Sequence, residues 1–204
     1  MYRRGAKAFT LIEMIGVLAV IAILASLLIP RVFTTIAEAR VNGTMISCNT
    51  VKTAIADHVA KYNKLEQVWG TNAVTFASGI SPGYDTNVLM VEGLLDKPFL
   101  TKVVGGSNPQ ANSIIEIVQG GHENNNAANG YALDGVNDGT AGAQFVIEAK
   151  LIGVSAQDAK DLNDRIDGPN LGAVDLTTAD NMGQVEYAAP VNGTTTVYIY
   201  LMHQ

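Results

Sequence analysis

An apolar block from Phe9 to Ile29, preceded by Arg3, Arg4 and Lys7 and carrying a single acid, Glu13, constrains this chain more than any other feature. About 20 apolar residues in helical form cross the roughly 30 Å of hydrocarbon in a bilayer. A carboxylate a few residues inside such a stretch is costly to bury and needs a partner. The natural partner is an α-amino group, which would appear if the chain were cut before Phe9. The basic leader places the N-terminus in the cytoplasm, so that everything after about Pro30 is exported.

Three other anchors compete for this segment. A secretory signal peptide would share the basic start, and Ala37-Glu38-Ala39 mimics its cleavage site. The run from Met14 to Ile29 is longer than the usual apolar core of such a signal, and it sits behind an acid. A plain single-span anchor accounts for the length but not for Glu13. A lipoprotein anchor fails because Cys48, the only cysteine, lies far beyond the apolar block.

Lys7-Ala8-Phe9-Thr10-Leu11-Ile12-Glu13, followed by an unbroken apolar helix, resembles the type IV prepilin signature shared by type IV pilins and the pseudopilins of type II secretion. The resemblance covers roughly residues 3–36 and is architectural beyond them. It implies cleavage by a membrane-embedded prepilin peptidase between Ala8 and Phe9, then N-methylation of Phe9. Ala8 stands where the family nearly always has glycine; a small residue still fits a tight peptidase site. The resemblance also implies assembly into a homo-oligomeric helical filament on an inner-membrane platform, in which Glu13 of an incoming subunit pairs with the Phe9 amine of its neighbour. Pro30 matches a family proline linked to helix melting in filaments, although the glycine often paired with it is absent. Many pilins close a C-terminal loop with a disulfide, which one cysteine cannot do within a chain.

The composition agrees with an anchored, exported protein. A chain of 204 residues allows one domain plus a membrane segment. Its mean hydropathy of +0.17 is raised by the N-terminal block. The formal charge is −6, and loss of Arg3, Arg4 and Lys7 with the leader would leave the remainder more acidic still. Such an acidic ectodomain argues against dedicated nucleic-acid binding, which needs cations for phosphates.

Beyond Pro30 the apolar residues Val41, Met45, Cys48, Val51, Ile55, Val59 and Tyr62 recur at helical spacing, with Arg40, Lys52, Asp57, Lys61 and Lys64 on other faces. The helix therefore runs from about Phe9 to about Asn63, about 80 Å at 1.5 Å per residue. Pro30 removes a backbone hydrogen bond and predicts a kink near residues 26–30; Asn42-Gly43 is a second weak point. The expected segments are a leader (1–8), a membrane or filament-core helix (9–30), an amphipathic half (31–63) and a globular head (64–204). In the head, a loop-rich link leads to a short helix capped by Thr86 or Asn87 and ending near Leu95, before Asp96-Lys97-Pro98. Strands are expected at Ser113–Val118, Gln144–Leu151, Gln184–Ala188 and Thr195–Met202, with a hairpin turn at Asn192-Gly193. Ser155 caps a helix to Asp167, closed by Gly168-Pro169. The fold class is α+β: a long N-terminal helix on an antiparallel sheet of about four strands, as in pilins.

Catalytic signatures are missing. The histidines His58, His122 and His203 lack metal-ligand spacing, and no nucleophile elbow or phosphate loop occurs. Cys48 reads as a small buried apolar residue, and His58 as a helix-face residue beside the stripe. The stretch His122–Gly142 is dense in Asn and Asp, and Asp134, Asn137 and Asp138 are candidate calcium ligands. Their spacing is not that of an EF-hand, and the same residues dominate ordinary turns. Three non-enzymatic functions fit: a pilus subunit for adhesion, motility or DNA uptake; a type II secretion pseudopilin; or a membrane-anchored surface binding module.

Overall fold

The computed structural model describes residues 9–66, 80–118, 130–135, 145–172 and 175–204. They form α1 (Leu11–Tyr62), β1 (Ile80–Pro82), β2 (Ser113–Val118), β3 (Val146–Ser155), α2 (Ala156–Ile166), β4 (Val185–Tyr187) and β5 (Thr194–His203). The strands make one antiparallel sheet in the order β1-β2-β3-β5-β4. This is the α+β arrangement of a pilin-like fold. The chain divides into two compact units, Met1–Ala39 and Arg40–Gln204.

Helix α1 runs 52 residues and continues through Pro30. It stops at Asn63, whose φ of 52° is left-handed and whose N–H donates to the Val59 carbonyl at 2.7 Å. Asparagine tolerates this conformation and is one of the few residues that end helices this way. From Val41 onward, one stripe is buried: Val41, Thr44, Cys48, Val51, Ala54, Ile55 and His58. The sequence stripe is thus recovered, with Met45 and Val59 half-buried at its margin.

Alternation along the strands gives the sheet two faces. The first presents Ile115, Ile117, Ile147, Ala149, Leu151 and Ile199 to the main core, which also takes in the α1 stripe and Ala159 and Leu162 of α2. The second carries a smaller cluster of Val118, Tyr131, Val146 and Tyr198. Glycine matters at one close approach: the Gly105 N–H donates to the Gly153 carbonyl at 2.9 Å, where a Cβ on Gly105 would press into that oxygen.

Local chemistry fixes the ends of α2. The Ser155 hydroxyl accepts the Asp158 N–H at 3.1 Å, the predicted cap. After Gly168 (φ 93°) ends the helix, the Asp167 carboxylate accepts the N–H groups of Gln184 and Val185, both at 2.8 Å. That pair ties the end of α2 to the start of β4. Asn192 and Gly193 turn the chain with φ of 53° and 78°, while Val191 and Thr194 exchange backbone bonds of 2.9 and 3.2 Å. This is the primed turn that two-residue hairpin loops favour.

The four strands read from the sequence are present, and β1 joins them as a short fifth strand at the edge. The link helix differs from expectation. Its only regular part is a single π-type turn at Asp85–Leu89, with the Met90 N–H reaching the Asp85 carbonyl at 2.9 Å. Neither Thr86 nor Asn87 caps it, and Tyr84, which precedes it, supplies no side-chain cap. Asp85 is instead drawn inward, where its carboxylate accepts the Phe99 N–H at 2.7 Å.

Candidate functional site

The chemistry-bearing part of the first unit is the start of α1. Thr10 precedes the first helical residue, and Glu13 lies three further on. Glu13 Oε2 accepts both the Thr10 N–H at 2.8 Å and the Thr10 hydroxyl at 2.7 Å. The Glu13 N–H faces the Thr10 hydroxyl oxygen at 3.4 Å. This reciprocal arrangement is a capping box, which satisfies amides that the first helical turn leaves without partners. The carboxylate also complements the positive end of the helix dipole. Locally, then, Glu13 is held one turn from Phe9, and its position is set by its own helix.

Around that acid nothing is covered. Every large apolar side chain from Phe9 to Ile36 is exposed, Phe9 at 75% and Leu27 at 68%. An 18-residue window of α1 reaches a mean hydropathy of 2.7 with none of it buried. Burying one such side chain stabilises by about 1.5–3 kcal/mol, so this surface demands lipid or other apolar helices. The polar residues within it turn inward on the backbone: the Ser26 hydroxyl donates to the Ile23 carbonyl at 2.8 Å, and Thr34 and Thr35 both donate to the Arg31 carbonyl at 2.9 Å. Hydroxyls satisfied in this way do not resist an apolar environment.

A leader, a cappable acid and an exposed apolar helix together fit one processing signal. Residues 3–29 match the prokaryotic N-terminal methylation motif. That motif is the leader signature of type IV prepilins and pseudopilins. It indicates a pilin-like or pseudopilin structural subunit, processed by a prepilin peptidase and anchored in the membrane as a precursor. The match ends within the apolar half of α1. No curated protein and no solved structure matched the chain.

The other sequence candidates scatter. Phe9, Glu13 and Pro30 all lie on or beside the exposed first half of α1, whereas Ala8 lies outside the described residues. Asp134 is exposed, and Asn137, Asp138 and His122 lie outside the described residues. Among the described residues, no three His, Cys, Asp or Glu side chains are grouped to hold a metal ion. Cys48 is buried and unpaired, with its thiol pushed up to about 12 by burial.

Two polar features in the second unit were not anticipated. His58, fully buried, places Nδ1 2.7 Å from Glu92 Oε2, pinning α1 to the segment after the π-type turn. Tyr84 meets the His58 ring edge-on at 6.2 Å and donates its hydroxyl to the Leu65 carbonyl at 2.8 Å. On the second sheet face, Glu116, Glu148 and Glu186 are all buried. Burial, then the neighbouring Glu116, pushes the Glu148 carboxyl well above its ordinary range. A visible signal existed for these: an acid inside an otherwise apolar strand, Ser-Ile-Ile-Glu-Ile-Val at 113–118 and Val-Ile-Glu-Ala at 146–149.

Proposed function

We propose that this protein is the structural subunit of a type IV pilus-like filament, assembled through the first half of α1. The precursor inserts with its leader in the cytoplasm, the peptidase removes Met1–Ala8, and the new Phe9 amine is N-methylated. Glu13 of an incoming subunit then pairs with the Phe9 amine of the copy already in the fibre. In low dielectric an unpaired carboxylate costs several kcal/mol, so pairing aligns the newcomer and favours its exit from lipid. Residues 9–30 form the filament core, 31–63 the amphipathic stem, and 64–204 the outer head. The observation that carries this reading is the exposed apolar helix face from Phe9 to Ile29, whose only charged side chain is Glu13, within a methylation motif.

Mass spectrometry of the protein from cells tests the processing. The expected product begins at Phe9 and carries one added methyl group; a chain beginning at Met1 overturns the reading. Glu13→Ala should enter the membrane at normal levels yet yield few fibres. Normal fibre yield from that variant would remove the pairing step. A type II secretion pseudopilin shares the same methylation motif, and shearing cells separates the two roles, since long surface fibres are released only from a pilus.

A further inference from the structure

The second sheet face buries more acid than base. Glu116 of β2 and Glu148 of β3 stand directly opposite one another, 3% and 0% exposed. Lys150, next along the same face of β3, places its ammonium 3.4 Å from Glu116 Oε1. Glu186 of β4, 3% exposed, accepts the Ala132 N–H at 3.3 Å. Gly130–Gly135 crosses this face as a strap. Its fully buried Tyr131 donates to Glu148 Oε2 at 2.7 Å and meets the Tyr200 ring at 5.5 Å. The Ala132 carbonyl accepts the Gly183 N–H at 2.8 Å. Two of the strap's polar tethers, from Tyr131 and Ala132, therefore end on carboxyl groups.

Among the described residues, Glu148 shares this face with Glu116 from β2, Lys150 on its own strand, Glu186 from β4, Tyr198, Tyr200 and His203 from β5, and Tyr131 from the strap, while Lys52 of α1 reaches the Tyr200 ring at 5.7 Å. Lys150 pairs with Glu116, and Glu148 and Glu116 remain two buried carboxyls facing one another. Directly opposed like charges are destabilising in a sheet, and two carboxyls sharing a dry site cannot both ionise without a large penalty.

We propose that Glu148 carries a proton where it faces Glu116 across the sheet, and that this proton latches the Gly130–Gly135 strap onto the sheet. Loss of the proton strengthens the Tyr131 hydrogen bond, but burial and the facing Glu116 outweigh that gain; lifting the strap lets water reach both carboxyls. Tyr131 stays a donor throughout, because burial and then Glu148 push its phenol well above its ordinary value. The closed strap binds the proton more tightly than the open one. Opening therefore becomes more favourable by up to tenfold per pH unit, from the ordinary glutamate value of about 4.3 up to the raised value of Glu148. Below that window opening does not depend on pH.

Hydrogen exchange on the full-length protein in detergent, from about pH 5 to about pH 9 and corrected for intrinsic rates, tests the latch. The reporters are the amides of Ala132 and Gly183, which donate the strap's backbone tethers. In the native chain their protection should fall with rising pH, and in Glu148→Gln, which has no proton to lose, it should stay flat. Glu116→Gln removes the opposing charge and should reduce the slope, a second test should Glu148→Gln fail to fold. An equal slope in the variants, or no slope in the native chain, would overturn the proposal.

Discussion

Glu13 meets two demands with one carboxylate. Within its own helix it completes a capping box with Thr10, an interaction of about 1 kcal/mol; in the proposed fibre it neutralises a neighbour's amine at several times that value. Glutamine can also fill the third helical position of a capping box, so Glu13→Gln separates the two. We predict that its helicity, read by circular dichroism in detergent, matches the native protein while fibre yield collapses. A variant that kept its fibres would show that the cap, not the charge, matters for assembly. In the head, Ile55 is fully buried on the α1 stripe. Ile55→Ala should cost about 2–5 kcal/mol through lost contact and the cavity left behind, seen as a lower denaturation midpoint.

At the scale of elements, what could be read in advance was whatever is written in local chemistry. The Ser155 cap, the Asn192-Gly193 turn and the strand Ser113–Val118 appear where their residues direct, because caps, primed turns and alternation depend on neighbours in sequence. Ser155→Ala should accordingly lower stability by about 1 kcal/mol, and a thermal shift below half a degree would contradict the cap's importance. Strand β1 was hidden because three residues ending in proline give no periodicity, and its pairing with β2 is a long-range event. The π-type turn stands where a capped helix is expected because Asp85 is drawn inward to Phe99, a choice that tertiary packing makes. The buried acids show in the sequence only as charges inside apolar strands. Alternation tells which residues share a sheet face, but not that a strap from an Asn-rich stretch will cover it. At the N-terminus the exposed apolar helix and its lone acid were legible, since lipid solubility and the cost of that acid are properties of the segment itself.

For the whole molecule, acid in dry places sets the response to pH. Asp85, Glu148 and Asp167 all have carboxyls raised chiefly by burial. A carboxyl whose folded value is raised binds its proton more tightly in the native state, so its contribution to stability is present at low pH and lost as pH climbs through the raised value. The head should therefore melt at a higher temperature near about pH 5 than near about pH 8, and calorimetry showing the reverse would mean these groups titrate normally. The formal charge of −6 reinforces the trend, since self-repulsion grows as the last protons leave. Cys48 bears on something more practical. Sealed within the packed stripe and scarcely ionised at physiological pH, it should ignore maleimides and iodoacetamide while the fold holds. A cysteine introduced on the surface would then be the sole target for a dye or spin probe, with no need to remove the native thiol first.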